Sequence, residues 1–263
     1  MVNASKHVLG SAYFNHKALL CGRLFSREAD ASFIELLRER ITTAYAWRER
    51  HIDNGCYRLI YGDGDQLPGL VVDRFGDYLV VQTTTYGVFS MLDAIVEVLA
   101  ELMSPKGILL RNDADIESEQ VPAETRVIFG GVPDICEVRE GNVGFLVPVK
   151  EGQKTGWFFD HRDSRQYLRR FAKGARVLDV FSYLGSWGLQ ALDAGAESVV
   201  AIDRSELALS LMQDNARRYD WEDRLRTIRG FATHELKRLA EQGEQFDVIV
   251  LDPPAFILSL IHI

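Results

Sequence analysis

Residues 177–203, VLDVFSYLGSWGLQALDAGAESVVAID, contain two apolar runs separated by an amphipathic stretch. The runs at 177–181 and 198–203 have the length of buried strands, and residues 187–194 have helical spacing. The same alternation continues downstream, with helices predicted at 206–219 and 233–242 and strands at 225–229 and 246–251. Strict alternation of strand and helix predicts a parallel sheet covered by helices on both faces, which is the doubly wound α/β class.

A smaller α+β region precedes this sheet. A helix is predicted over 32–47, with Ser32 as its N-cap and Glu35 three positions later. Strands and tight turns follow, together with one further helix: strands at 58–61, 70–75, 78–84 and 107–111, a helix at 88–103, and a hairpin at 135–147. Residues 1–27 contain short apolar pieces that are too few to form a core of their own.

Composition limits the class of protein. Hydrophobic residues make up 47% and charged residues 26%, no apolar run could span a bilayer, and no secretory signal is visible, which predicts a soluble cytoplasmic protein. Cys21, Cys56 and Cys136 form no CxxC pair, so we expect buried thiols and neither disulfides nor a metal site. The net charge is −8, but the acids concentrate in residues 61–150, so a local basic face for nucleic acid stays possible.

Two loops of the predicted sheet point to a nucleoside cofactor, because ligands of doubly wound sheets bind beyond the carboxyl ends of the strands. The loop after the first strand contains Gly185 and Gly188, which allow the backbone to approach a ligand closely. It lacks the GxGxxG pattern, so a purely structural turn is the alternative. Asp203 ends the second strand, where a carboxylate can accept both hydroxyls of a ribose. Capping of the next helix is the alternative role, although Ser205 could cap instead.

The fourth strand ends in Asp252-Pro253-Pro254-Ala255-Phe256. Two consecutive prolines fix two φ angles and remove two donors, which leaves a rigid extended loop with exposed carbonyls. Such a loop can hold a flat base, with Asp252 accepting from its amino group and Phe256 available for stacking. The alternative is a Pro-Pro pair that merely ends a strand. The glycine loop, the acid after strand two and this loop are together far more specific than any one alone.

Upstream of the first strand lies the segment 154–165, KTGWFFDHRDSR. Asp160 and Asp163 lead into a predicted helix, and Arg162 and Arg165 could bind a carboxylate or a phosphate. From the residues alone, this segment is a charged helix start.

Together, four of these segments resemble the large-subunit ribosomal RNA cytosine-C5 methyltransferase family: GWFFDHRDSR, VLDVFSYLGSWG, VVAID and VIVLDPPAF. The resemblance covers residues 10–257. It implies a Rossmann-like class I methyltransferase domain at 148–257, a middle α+β domain at 30–147 and the end of an RNA-binding PUA domain at 1–29. It also implies S-adenosylmethionine as cofactor, large-subunit ribosomal RNA as partner and cytosine C5 as the methylated position.

The resemblance further assigns roles to residues. Asp203 would hold the ribose and Asp252 would face the target base. The residues that would line or close over the cofactor are Asp160, Arg162, Arg165, Phe181, Ser182, Tyr183 and Gly185.

The chain departs from the family pattern in three places. After strand three, where such enzymes commonly place an acid that reads the adenine amino group, Gly230 is followed by Phe231. Most of the PUA domain is absent before Met1, and the chain stops before the segment that carries the family's cysteine nucleophile. Residues 258–263 match a translated sequencing adaptor, which predicts a non-native tail. The expectation is therefore a cofactor-binding fragment truncated at both ends.

The missing cysteine bears on the reaction. Carbon 5 of cytosine is a poor nucleophile, so enzymes of this type add a thiolate at carbon 6. Methylation of an exocyclic amine needs no cysteine and is one alternative. A nucleotide-binding oxidoreductase is another, but the missing GxGxxG pattern and the Asp-Pro-Pro loop argue against it.

Overall fold

The chain forms two compact units in a computed structural model that describes residues 5–113 and 116–254. The first unit comprises Met1–Val138 and Pro148–Phe159, and the second comprises Arg139–Val147 and Asp160–Ile263. The chain therefore passes from one unit to the other three times. The predicted domain boundaries at 29 and 147 stay predictions, and the compact units divide the chain differently around 139–159.

The first unit is built around a five-stranded mixed sheet with the order β3-β4-β5-β6-β7. Its elements are β1 (Ser11–Phe14), β2 (Gly22–Ser26), α1 (Phe33–His51), β3 (Cys56–Tyr61), β4 (Leu70–Phe75), β5 (Tyr78–Thr83), α2 (Tyr86–Phe89), α3 (Leu92–Met103), β6 (Gly107–Asn112) and β7 (Glu124–Gly130). Strands β5 and β6 are parallel, and the other neighbours in this sheet are antiparallel. Strands β1 and β2 form a separate antiparallel pair.

Helical periodicity explains how α1 and α3 build the core of the first unit. In α1, Leu37, Ile41 and Ala44 are buried at spacings of four and three, and they belong to the same apolar cluster as Ile95 and Leu99 of α3. The Ser32 hydroxyl accepts from the Glu35 backbone N–H, which confirms the predicted cap.

A two-stranded hairpin of β8 (Ile135–Glu140) and β9 (Val143–Pro148) follows. The bend at Gly141 has a φ of +60°, as a tight turn in this hairpin requires. The tip of the hairpin belongs to the second unit.

The second unit contains a four-stranded sheet in which every neighbouring pair is parallel, in the order β12-β11-β10-β13. Its elements are α4 (Arg162–Ala172), β10 (Arg176–Val180), α5 (Ser186–Asp193), β11 (Ser198–Asp203), α6 (Glu206–Arg217), β12 (Leu225–Arg229), α7 (Ala232–Glu241) and β13 (Val248–Leu251). In chain order the strands lie as third, second, first and fourth. The predicted doubly wound α/β fold is confirmed.

Two predicted helices differ from the structure, and one strand was not predicted. The helix predicted at 88–103 is two helices, because Thr85 caps α2 and the chain turns at Ser90 before α3 begins. Strand β7 was not predicted, since Glu124 and Arg126 near its start and Gly130 at its end leave only a short apolar run between them. Helix α1 continues to His51 rather than ending at Trp47. Among the described residues, no helix is long and apolar enough to cross a membrane.

Candidate cofactor and target site

The glycine loop after β10 is a tight turn built from left-handed residues. Phe181, Tyr183 and Gly185 have φ values of +65°, +49° and +76°. Two of the three are not glycine, and such residues usually pay a strain cost that is found most often at functional sites. The loop is fixed to the neighbouring strand because the Ser182 N–H donates to the carbonyl oxygen of Ile202 at 3.0 Å.

A side chain at position 185 would be disfavoured both by the positive φ and by the close approach of Met212. A Cβ at this position would lie 2.5 Å from Cγ of Met212, a buried residue of α6. Gly185 is also the N-cap of α5, so the first backbone N–H groups of that helix face this loop.

Asp203 lies at the carboxyl end of β11, and the glycine loop fixes the orientation of its carboxylate. The Tyr183 N–H donates to Oδ2 at 2.8 Å, and the Ser205 N–H donates to Oδ1 at 2.8 Å. Each oxygen therefore keeps a second lone pair for a ligand hydroxyl. The Ser205 hydroxyl accepts from the Ala208 N–H and caps α6, so the cap does not require Asp203 for that contact.

Asp179 is a buried acid of this site that the sequence prediction missed. It lies inside β10 with no exposed surface, and Oδ2 accepts from the Gly188 N–H at 3.0 Å. Burial, together with the charges of Asp252 and Asp203, raises the pKa of Asp179 to about 7 against the opposing hydrogen bond from Gly188. The signal in the sequence was an acid in the middle of an apolar strand, VLDV.

Unsatisfied polar atoms show that the site suits a polar ligand. Among the described residues, Asp179 Oδ1 and Ser182 Oγ are buried without a hydrogen-bond partner. Buried polar atoms are nearly always paired with protein, water or ligand. Asp203 ends β11, Asp252 follows β13, and Asp179 lies one residue before the end of β10 between them. The electrostatics of this edge therefore favour a positively charged group.

Asp252 follows β13 and is held by two aromatic side chains. The Trp187 Nε1–H donates to Asp252 Oδ2 at 3.2 Å, and His161 Nε2 lies 3.7 Å from the same oxygen. The His161 and Trp187 rings are 5.8 Å apart between centroids. Pro253 and Pro254 are exposed next to this cluster, and Phe256 lies outside the described residues.

The charged segment before α4 divides into exposed and buried side chains. Asp160 is exposed and Arg162 is half-buried, with Nε 3.8 Å from Glu140 Oε1. Arg165 has no exposed surface, and its guanidinium makes a two-point ion pair with Glu140, with Nε–Oε2 at 2.8 Å and Nη2–Oε1 at 2.6 Å. Arg165 therefore has no free surface with which to reach a ligand.

The Glu140 contact belongs to a wider buried network. The Gln190 side chain donates to the Glu140 carbonyl oxygen at 2.8 Å, and Arg169 donates to Gln190 Oε1 at 2.8 Å. The Arg165 guanidinium carbon also lies 5.9 Å from the centre of the Trp187 ring. Trp187 is the residue whose ring N–H donates to Asp252. The assignment of Arg165 to the cofactor stays a prediction, and its burial and its ion pair with Glu140 favour an indirect role.

Cysteine and metal ligands do not add to this site. Cys21, Cys56 and Cys136 all belong to the first unit, where Cys56 and Cys136 are buried and burial raises the pKa of Cys136 to about 12. Within residues 5–113 and 116–254, no cluster of three or more metal-ligating side chains is found.

Comparison with known proteins finds one matching family model and several similar sequences that share one description. The family model described as "Conserved hypothetical protein 95" matches residues 160–259, which include all of the strand-end loops above. Ribosomal RNA large subunit methyltransferase I of Erwinia tasmaniensis is 31% identical over 256 residues, which cover 95% of this chain and 65% of that protein. The protein of the same name from Aeromonas hydrophila is 38% identical over 207 residues, covering 77% of this chain and 52% of that protein. The chain thus spans between about half and two thirds of the length of these relatives.

Solved structures agree on the fold. A protein of Streptococcus mutans described as a SAM-dependent methyltransferase has a TM-score of 0.84 at 20% identity, over 96% of this chain and 67% of that one. A methyltransferase solved in complex with S-adenosylhomocysteine has a TM-score of 0.85 at 20% identity, over 96% of this chain and 66% of that one. The fold is that of the α/β, Rossmann-like, S-adenosylmethionine-dependent methyltransferases. In sequence, the chain is similar to the ribosomal RNA large subunit methyltransferases named above. The oxidoreductase alternative finds no support among these proteins.

Proposed function

We propose that this chain carries the cofactor-binding and base-facing part of an S-adenosylmethionine-dependent methyltransferase of large-subunit ribosomal RNA. The observation that carries the proposal is the group of three carboxylates, Asp179, Asp203 and Asp252, around the left-handed turn at Gly185. When bound, S-adenosylmethionine supplies a methyl group activated by a sulfonium cation. A cluster of carboxylates at one sheet edge favours that cation over a neutral or anionic ligand.

Each residue of the cofactor half has a distinct task in this proposal. Asp203 accepts the ribose hydroxyls through the lone pairs that Tyr183 and Ser205 leave open. The turn at 181–185 brings backbone close to the methionine part, and Asp160 and Arg162 close over the ligand. Arg165 acts as a positioning residue, since it is buried and forms a two-point ion pair with Glu140.

The target base is placed by the loop after β13. In the proposal, Asp252 accepts from an amino group of the base, and Pro253 and Pro254 present carbonyl oxygens in a fixed extended conformation. The Trp187 hydrogen bond holds the Asp252 carboxylate in one orientation before a base arrives. Stacking by Phe256 is proposed from its position in the loop sequence Asp252-Pro253-Pro254-Ala255-Phe256.

The methylated atom is proposed to be cytosine C5, on the strength of the sequence resemblance. That reaction requires a thiolate at carbon 6 of the base. Methylation of an exocyclic amine, which requires no thiolate, is the second candidate. Methyl transfer to large-subunit ribosomal RNA, followed by nucleoside analysis, separates the two because the products differ.

Cofactor binding tests the proposal without requiring turnover. Calorimetry should detect S-adenosylhomocysteine, and Asp203→Ala should weaken its binding by about 1–3 kcal/mol, the scale for losing hydrogen bonds to a charged group. Asp223→Ala is the matched control, because Asp223 is an exposed acid in the turn before β12, at the opposite edge of the sheet. Equal affinities for the wild type and Asp203→Ala would refute the ribose assignment. No binding by the folded wild type would refute the proposed function.

A further inference from the structure

We propose that the solvent face of α4 binds a single-stranded stretch of the RNA, with bases stacking on Tyr167 and Phe171 and a phosphate pairing with Arg170. The inference rests on the proposed function, because it takes RNA to be the partner of this chain. It goes beyond that function by adding a second contact surface to the loop at Asp252, which faces the target base in the proposal.

The exposed aromatic side chains are the unusual feature of this helix. Leu168 and Ala172 are buried at a spacing of four, as expected for the inner side of a surface helix. Tyr167 and Phe171 are also four positions apart, and they lie on the solvent side with 58% and 54% of their surface exposed. The outer side of such a helix is normally polar, so two neighbouring large rings there indicate a surface that a partner covers.

The two rings and Arg170 form one cluster. The ring centroids of Tyr167 and Phe171 are 5.4 Å apart with an angle of 64° between the planes, and the Arg170 guanidinium carbon lies 5.2 Å from the centre of the Tyr167 ring. These are an edge-to-face contact and a cation–π contact. Because the side chains hold one another, stacking of a base on them costs less side-chain entropy than stacking on an isolated surface ring.

The charge of α4 complements phosphate. Asp163 is the one acid in residues 162–173, against five basic residues: Arg162, Arg165, Arg169, Arg170 and Lys173. Acids of neighbouring elements neutralise the inner cations, because Glu140 pairs with Arg165 and Asp193 pairs with Arg169. Within residues 5–113 and 116–254, no carboxylate is paired with Arg170 or Lys173. A phosphate beside the aromatic cluster therefore meets a cation that no protein acid has neutralised.

The position of α4 connects this cluster with the target site. His161 is the N-cap of α4, and its Nε2 lies 3.7 Å from Asp252 Oδ2. A helix rises about 1.5 Å per residue, so Tyr167 and Phe171 follow at about 9 Å and 15 Å along its axis. An RNA strand whose target base reaches Asp252 can continue along α4 with its neighbouring bases unpaired and stacked. This continuity, together with the unpaired cations, favours RNA over a protein partner.

Fluorescence anisotropy of the full chain with a labelled single-stranded oligoribonucleotide of about 12 nucleotides tests the stacking. Phe171→Ala and Tyr167→Ala should each weaken binding about 5- to 150-fold, the range for loss of one base–aromatic stack, and Phe171→Trp should retain it. Trp47→Ala is the matched control. Trp47 is 56% exposed on α1 beside Arg48, but Arg48 is paired with Asp65, so the affinity should not change.

The salt dependence of the same measurement tests the phosphate contact. Arg170→Gln should lower the slope of log affinity against log salt by about 0.7, the contribution of one phosphate on a single strand, whereas Phe171→Ala should leave the slope unchanged. Lys237→Gln is the charge-matched control, because it removes an exposed cation from α7 in the same unit. A duplex of the same sequence should bind more weakly than the single strand, because paired bases cannot stack on the protein.

Each outcome bears on a separate claim. Normal RNA affinity in both alanine variants, an equal loss in Trp47→Ala, or no RNA binding by a wild type that binds S-adenosylhomocysteine would overturn the α4 surface and leave the cofactor assignment standing. A wild-type dimer in sedimentation velocity that Phe171→Ala converts to a monomer, with RNA affinity unchanged, would assign the aromatic cluster to a contact between copies of this chain instead. Failure of the folded wild type to bind S-adenosylhomocysteine would overturn the proposed function, whatever the RNA affinity.

Discussion

Replacement of Asp179 by asparagine should change the pH dependence of stability in a way that identifies the buried charge. Asp179 is fully buried in β10, and its pKa is raised from 3.8 to about 7. In the unfolded chain the carboxyl returns to its ordinary pKa. Between about pH 4 and pH 7 the native state therefore binds the proton more tightly than the unfolded state, so stability falls as pH rises through this window.

The size of the effect follows from the pKa change. One pKa unit corresponds to about 1.4 kcal/mol, so keeping Asp179 ionised costs the native state at most about 4 kcal/mol above pH 7. Asparagine removes that cost and keeps an oxygen that can accept from the Gly188 N–H. Its amide NH₂ would replace Oδ1, which has no partner among the described residues, at a cost of about 1–3 kcal/mol. We expect Asp179→Asn to be more stable than the wild type at about pH 8 and to lose that advantage at about pH 5.

Urea unfolding of both proteins at several pH values measures this difference directly. The difference in free energy of unfolding should change by about 3 kcal/mol between pH 5 and pH 8. Curves that run parallel over this range would refute the buried-charge argument. A second readout is ligand charge: Asp179→Asn should weaken S-adenosylmethionine, which carries the sulfonium, more than S-adenosylhomocysteine, which does not.

Three further predictions concern the turn, the buried ion pair and the cysteines. Gly185→Ala should lower thermal stability by about 1–3 kcal/mol, and clearly more than Gly174→Ala, because both glycines have positive φ but a Cβ at Gly174 meets nothing within 4 Å. Arg165→Met should cost about 3–5 kcal/mol in urea unfolding, because it removes the two-point partner of the buried Glu140 and leaves Arg162 at 3.8 Å, and adding Glu140→Leu should recover part of the loss. If adding Glu140→Leu to Arg165→Met instead lowered the free energy of unfolding by a further equal amount, the two side chains would not act as a pair. The chain should form no 5-methylcytosine in tritiated methyl transfer, and Cys21→Ser, at the exposed cysteine, should leave the product profile unchanged.

The fold of the second unit could be predicted because its information is local. Apolar runs of strand length, amphipathic segments between them and serine caps each act within a few residues of the chain. The Ser205 hydroxyl caps α6 as its position before Glu206 indicated. The parallel order of β10, β11 and β12 then follows from the short helical connections between consecutive strands.

The parts of the site that sequence reasoning missed depend on distant partners. Arg165 has the charge and the position of a ligand-binding residue, but its partner Glu140 lies 25 positions earlier, in a region assigned to another domain. Asp179 was hidden for the opposite reason. An acid within an apolar strand carries no spacing signal, and its burial becomes evident only once β11 and β13 flank it.

The chain passes between the two units three times, and this affects the order in which the units can fold during synthesis. The hairpin tip at Arg139–Val147 leaves the ribosome before Arg165 and Gln190, the residues that hold Glu140 within the second unit. A nascent chain that has reached residue 159 therefore contains all of the first unit together with the hairpin tip, but it does not yet contain Arg165. The second unit can complete its packing only when Arg139–Val147, which is synthesised earlier, packs against it. No single cleavage of the backbone separates one complete unit from the other.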